Sequence, residues 1–486
     1  MLASLRKYRN YRLYFVGQIV SYSGSWMQDT ALPWLVLQLT HSPFQVGLLV
    51  FCRYGPFMVG GLYGGVIADR FDNRRVLMCS QTLAMCVAAG LAAVAFAGVD
   101  RLWLLYVLAA GTGVALVFDN PSKHALIYQL VGREELPNAV SLNVSLQNAA
   151  KVVGPALGGV LIAAVGSGWC FAVNAFSFVA VLAALVAMRR AELFRVERGE
   201  RRGGVRALRE GFAHVRGSPL LMTILGIGSV LGLFGFSTMR TLLSVLARDT
   251  LHGGARTFGA LFAAYGAGAV AGALASAARS STGRRFLIAG ALLFSAPILA
   301  LAPVRASAVA AMLLFVAGAG WATWSGQAFA QVQLAAPDQL RGRVISLYTY
   351  TIIASAPLGG LLGGWLADAG GTELAFAVSG GAGLAAAAAG AAVLGGRAGS
   401  GAGSAQVGGA RSRYRGDGTP DGRLFPGRLR LGRDRAAAGA RAAGRRDEHV
   451  GVEPRHGQGD LVRAGLRRRR RDESRPARRS ALPRPS

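Results

Sequence analysis

The chain has 486 residues, 52% of them hydrophobic and only 16% charged, with a mean hydropathy of +0.38. A soluble domain carries about 25% charged residues, so this composition excludes a water-soluble globular chain. The net charge of +29 does not mean nucleic-acid binding. Up to residue 396 the positive charge sits in short segments between apolar runs, where it sets membrane topology.

Twelve apolar runs, each about 20 residues or more, are long enough to cross a hydrocarbon core of about 30 Å. They predict helices over 13–38, 45–68, 76–98, 102–121, 138–165, 169–188, 219–245, 257–278, 285–303, 306–330, 343–368 and 372–395. The first follows a basic N-terminus (Arg6, Lys7, Arg9, Arg12) and is too long for a signal peptide, so it reads as an uncleaved span. The intervening segments alternate in charge. Lys and Arg crowd the N-terminus, 69–75, 122–137, 189–218, 279–284 and 331–342, whereas the opposite side holds Arg101, Arg248, Arg256 and Arg305. This bias places both termini in the cytoplasm of a cell carrying the chain in its inner or plasma membrane.

The basic segment 189–218, with an interfacial helix expected over 205–215, divides the chain into a half at 1–188 and a half at 219–396. The stretches 141–166 and 346–371 align without gaps. Ser141 meets Ser346, Leu142 meets Leu347, and Gly158–Gly159 meets Gly363–Gly364. Such an internal repeat belongs to transporters built from related halves. The expected fold is therefore an all-α membrane protein with twelve transmembrane helices in two six-helix pseudo-repeats. From residue 397 the composition turns to Arg, Gly, Ala and Pro without lysine, which predicts a disordered cytoplasmic tail over 397–486. Its five arginines at 467–471 suit anionic headgroups. The same composition also fits a shifted reading frame of a GC-rich gene, with no function.

Among the few charged residues of the spans, Asp29, Arg53, Asp119, Lys151 and Arg240 are singled out. Each is a functional candidate, because an ionised group within a bilayer is costly without a partner. Asp29, beside Gln28 and Trp26, suits a proton carrier with Arg53 as its counter-ion; the same two residues also suit a structural pair tying helices 1 and 2. Asp119, at the cytoplasmic end of helix 4, is placed to pair with Arg70 or Arg74. Arg240, near the outer end of helix 7, reads as snorkelling. Lys151 lies one turn before Gly154–Pro155. In KVVGPALGG the proline kinks the helix, and Gly154, Gly158 and Gly159 permit close helix contact.

No paired catalytic groups, metal-ligand spacing or nucleotide loop is visible, so no enzyme activity, metal or cofactor is expected. Cys52, Cys79, Cys86 and Cys170 read as small buried hydrophobes.

The segment GGVIADRFDNRR, 64–75, packs two Asp and three Arg between apolar runs. It reads either as an ion-paired hinge at one membrane face or as a positive-inside anchor. Its pattern of Gly65, Asp69, Arg70, Arg74 and Arg75 resembles the signature loop of the major facilitator superfamily. That resemblance implies a loop between helices 2 and 3 that latches the cytoplasmic gate, with Asp119 as partner. Asp72 stands where the family has Gly, and Asn73 where it has its first Arg. The GPxxGG run, Gly154–Gly159, resembles the fifth-helix motif of drug and proton antiporters. The stretches 30–43, 118–143, 171–178 and 340–348 are similar to the branch that holds the enterobactin exporter and macrolide-efflux permeases, over about residues 5–395. The resemblance implies a monomeric secondary transporter that exports a small molecule (drug, macrolide or siderophore-like) by proton antiport and alternating access. The proton gradient would be its driving force, the lipid bilayer its other partner. Trp26, Gln28, Asn143, Gln147 and Trp324 are then expected at the substrate cavity. An importer or lipid mover on the same fold, and a non-transporting membrane sensor or scaffold, are the alternatives.

Overall fold

The computed structural model describes residues 3–194, 205–278, 283–337 and 340–401, without the side chains of 62–70, 205–209, 236–239 and 395–401. The expected tail lies almost wholly outside the described residues.

The described chain is helical. Its elements are α1 Ala3–Lys7, α2 Arg9–Thr40, α3 Pro43–Arg70, α4 Asn73–Phe96, α5 Leu102–Val131, α6 Leu136–Val165, α7 Ser167–Ala187, α8 Val205–Gly217, α9 Pro219–Val230, α10 Thr238–Val245, α11 Ala255–Ala278, α12 Arg284–Ala300, α13 Ser307–Ala335, α14 Arg341–Ala354 and α15 Ala356–Gly401. Wider π-helical turns, Leu231–Ser237 and Leu246–Thr250, flank α10. In α15 the helix breaks at Gly370 and Gly371, and Gly371 has φ of +72°, a left-handed conformation that a side chain would resist.

Eight stretches among the described residues are long and apolar enough to cross a membrane: α4, α5, α6, α7, α11, α13, Pro219–Thr250 and Arg341–Leu394. The last is 54 residues, divided by the break at Gly371. The expected count was twelve. The polar residues Gln18, Ser21, Ser23, Ser25, Gln28 and Asp29 lower the hydropathy of α2, Arg53 interrupts α3, and α12 has only 17 residues.

One boundary departs clearly from expectation. Helix α5 runs to Val131 instead of ending at 121, so Lys123 and His124 are helical. Pro121 lies inside it. The lost backbone bond is offset by burial, because Leu126, Ile127, Leu130 and Val131 join Tyr11, Tyr14, Leu77, Val181 and Leu185 in one apolar cluster.

Helices α2–α7 pack on one another, and so do α9–α15. The two bundles meet along two seams, α3 against α15 and α6 against α11. In both seams glycines bring the two backbones close. A Cβ on Gly47 would lie 2.3 Å from the Gly360 carbonyl oxygen, and one on Gly159 would lie 2.8 Å from the Cα of Gly259. Backbones this close gain van der Waals contact along the whole crossing.

Candidate functional site

Between the seams, ionisable side chains from both bundles converge. Asp29 of α2 forms an ion pair with Arg53 of α3. Its second oxygen lies 3.4 Å from the guanidinium of Arg240 on α10, in the other bundle. Arg240 also donates to the Tyr54 hydroxyl. Its guanidinium carbon lies 5.2 Å from the centre of the Trp26 ring. Asp29, Arg53 and Arg240 retain 13%, 18% and 13% side-chain exposure, so the cluster is sheltered but reachable. Arg240 therefore does not snorkel outward as its position suggested. The π-helical turn before α10 inserts extra residues and rotates the face that α10 presents.

Helix α6 closes one side. Gly154 packs on α2, where a Cβ would meet that of Trp26 at 2.4 Å, and Gly158 packs on Met27. Lys151 lies one turn before Gly154 on the same face. It is half-buried, and its Nζ donates to Asn148 Oδ1 at 3.1 Å. Among the described residues no carboxylate is within ion-pair distance of it.

The gate motif is distributed differently from expectation. Gly65, Asp69 and Arg70 end α3, and their side chains lie outside the described ones. Asp72 caps α4 by accepting the Arg74 backbone N–H at 3.0 Å and lies 3.7 Å from Arg75, which accounts for Asp at this position. Arg74 is buried, and donates to the carbonyls of Leu185 at 2.6 Å and Val186 at 3.2 Å at the end of α7. It does not reach Asp119. Asp119 pairs instead with Lys123, one helical turn on, at 2.7 Å, and accepts from Gln81. Lys123 in turn lies 4.8 Å from the centre of the Tyr22 ring. Lys123 escaped sequence reasoning because the fourth span was drawn to end at 121, which left Lys123 in the following segment.

At the end bearing the α2–α3 turn, the bundles are joined by polar contacts. Asp368 accepts from Ser42 Oγ and the Phe44 backbone N–H, and Arg248 donates to the Leu37 carbonyl at 2.6 Å. Further along α3, Tyr350 donates to the Met58 carbonyl.

Of the residues expected at a cavity, Trp26 joins the central cluster. Gln28 is buried and accepts from Asn174 of α7 at 2.8 Å. Asn143 is buried, and Gln147 is half-buried. Trp324 is wholly buried in the second bundle, 5.4 Å from Trp321 and 6.4 Å from Tyr348 between ring centres. Of the cysteines, Cys170 alone is buried. Cys79 and Cys86 are exposed, because α4 turns that face away from the packing.

A family model of the major facilitator type, described as transmembrane secretion effector, matches residues 1–397. The enterobactin exporter EntS of Salmonella typhimurium is 28% identical over 371 residues, covering 75% of this chain and 87% of the relative. EntS of Escherichia coli O1:K1 is also 28% identical over 371 residues, covering 75% and 86%. Among solved structures, the chain is similar to an inward-facing, unoccupied bacterial homologue of the human lysosomal transporter Spinster, with TM-score 0.61, 15% identity and coverage of 80% of this chain and 97% of that one. It is similar also to the nucleoside transporter NupG, with TM-score 0.61, 12% identity and coverage of 79% and 99%.

Proposed function

This chain belongs to the transmembrane secretion effectors of the major facilitator superfamily, as a multi-pass membrane transporter and not an enzyme, and we propose that it exports a small molecule from the cytoplasm by alternating access. In this reading the chain crosses the membrane twelve times in two related halves, with both termini in the cytoplasm. The relatives named for enterobactin favour a siderophore-like substrate over a macrolide.

The observation that carries the reading is Asp29. A carboxylate of one bundle is shared between an arginine of its own bundle and one of the other. Protonation would discharge it and loosen the link across the cleft, so a proton reaching Asp29 biases the two bundles between closed and open arrangements. Asp29 is thus the proton-coupling residue and Arg53 its fixed counter-ion. The motif at 64–75 would serve as the cytoplasmic latch through Asp69 and Arg70, while Arg74 anchors α7.

Proton antiport is the coupling that the helix-5 motif implies. It requires substrate and proton to occupy the site in turn. A neutral or cationic substrate does so at a carboxylate. An anion does not, because anion and proton strengthen each other's binding.

The test is efflux from cells carrying wild type or Asp29→Asn under an imposed proton gradient. Export by wild type, and loss of its gradient dependence in the variant with substrate binding retained, supports the reading. Normal gradient-driven export by Asp29→Asn would make the Asp29–Arg53 pair purely structural. Substrate accumulation inside cells would reverse the direction and favour an importer.

A further inference from the structure

Among the described residues, Arg240 of the second bundle meets Asp29, Trp26 and Tyr54 of the first. These contacts differ in kind. A proton on Asp29 discharges its ion pair with Arg240. A hydroxyl or an aromatic ring attracts a guanidinium whether or not a neighbouring carboxylate is charged.

Tyr54 has the more telling position of the two aromatic residues. It follows Arg53 on α3 and is half-buried. The guanidinium carbons of Arg53 and Arg240 each lie 5.6 Å from the centre of its ring, and Arg240 donates to its hydroxyl. Asp29 also contacts both arginines. Two cations that repel each other are thus bridged by a carboxylate and, independently, by a phenol. The carboxylate bridge responds to a proton and the phenol bridge does not.

We propose that Tyr54 is a positioning residue for proton coupling, which keeps Arg240 at the site when Asp29 is protonated and so sets how far one proton shifts the two bundles. The inference rests on the proton-coupled export reading above. Asp29 faces Arg53 and Tyr54 from α3 and Arg240 from α10. On α6, Lys151 is bonded to Asn148, and on α11 the Tyr265 hydroxyl is buried. Helix α7 presents the uncharged Asn174 to Gln28, and on α5 Asp119 and Lys123 neutralise each other. In this reading only the closed arrangement joins Asp29 to Arg240, so acidification opens the end bearing the α2–α3 turn. Tyr54 favours the closed arrangement equally at every pH. Removing its hydroxyl loses one hydrogen bond to a charged group, about tenfold in the closed-to-open ratio. One proton is involved, so a tenfold loss is matched by a tenfold lower proton concentration. The half-open point therefore rises by about one pH unit.

The experiment uses the full-length chain in lipid nanodiscs, with its native cysteines replaced by alanine. Spin labels are placed at Asp100→Cys and Ala306→Cys, exposed positions in the α4–α5 and α12–α13 turns. Distances between them across a pH series report the closed-to-open ratio. Tyr54→Phe keeps the ring and is expected to move the midpoint up by about one pH unit. Asp29→Asn should abolish the pH dependence yet keep a closed population, and adding Tyr54→Phe to it should lower that population about tenfold. In an Arg240→Met background Tyr54→Phe should change nothing, because the hydroxyl acts through Arg240. A wild-type midpoint in Tyr54→Phe overturns the proposal. So do equal closed populations in Asp29→Asn with and without Tyr54→Phe, and so does an effect of Tyr54→Phe that persists in Arg240→Met. The export reading fails separately. A wild-type chain without pH dependence sinks proton coupling at Asp29, while the Asp29→Asn comparison still decides whether Tyr54 anchors Arg240.

Discussion

The carboxylate of Asp368, beside the break in α15, accepts the backbone N–H of Phe44 at 3.2 Å and the hydroxyl of Ser42 at 3.1 Å, and so caps the start of α3 from the opposite bundle. The first N–H groups of a helix have no partner within it, and an anion there is favoured by about 0.3–1 kcal/mol. Asp368 is solvent-exposed, so screening keeps its contribution within that range. In the alternating-access reading the contact exists only while this end is closed. Asp368→Asn should shift the closed-to-open ratio at this end by up to about fivefold. Distances between spin labels placed on the two bundles near the α2–α3 turn report that ratio. An unchanged distribution would reduce the contact to an incidental cap.

Deeper along the same seam, contact depends on the absence of a side chain. A Cβ at Gly47 would sit 2.3 Å from the Gly360 carbonyl, a backbone atom that cannot rotate away. Gly47→Val should therefore hold the α3–α15 seam apart. The expected outcome is normal membrane insertion, an open population at this end in the same spin-label measurement, and transport reduced by more than tenfold. Wild-type transport from Gly47→Val would show that the seam opens without consequence.

These two contacts mark the limit of what the sequence disclosed. The pairing of Asp29 with Arg53 was legible because each is the one ionisable residue in the middle of an otherwise uncharged stretch, and a bilayer leaves such residues few options. The close packing of Gly154, Gly158 and Gly159 was legible for a similar reason, since small residues in an apolar helix mark contact. Arg240 was not, because its inward facing depends on the π-helical turn Leu231–Ser237, which no residue pattern announces. Lys123 was missed because the span was drawn to end at 121, whereas α5 continues through Pro121 to Val131, its added turns held by burial. Asp368 lies at the edge of a span, and only the meeting of the two bundles gives it a partner.

The Asp119–Lys123 pair is sheltered, with side-chain exposures of 12% and 13%. Removing one partner leaves an uncompensated charge, and Lys123→Ala should lower stability by on the order of 3 kcal/mol. Replacing both, as Asp119→Asn with Lys123→Gln, should cost clearly less than the two single changes added together, because no bare charge remains. Thermal unfolding of the purified chain in detergent measures Asp119→Asn, Lys123→Gln and the double variant alongside Lys123→Ala. Additive losses would show that the two groups act independently and that Gln81 and Tyr22 carry the interaction instead.

Arg74 offers the sharpest separation of anchor from gate. Its guanidinium is buried against the carbonyls of Leu185 and Val186, the unsatisfied acceptors at the end of α7, where positive charge is favoured. Charge-assisted hydrogen bonds contribute about 1.5–3 kcal/mol. Arg74→Ala should therefore lower the unfolding temperature of the chain markedly, and Arg74→Lys should recover part of the loss, since an ammonium reaches one carbonyl but cannot fork to two. Transport assayed well below the unfolding temperature should persist in both variants at near wild-type rates. Transport lost in Arg74→Ala with the unfolding temperature unchanged would assign the residue to the moving latch. Loss of stability with transport intact fixes Arg74 as the clamp that joins α4 to α7 and leaves gating at this end to Asp69 and Arg70.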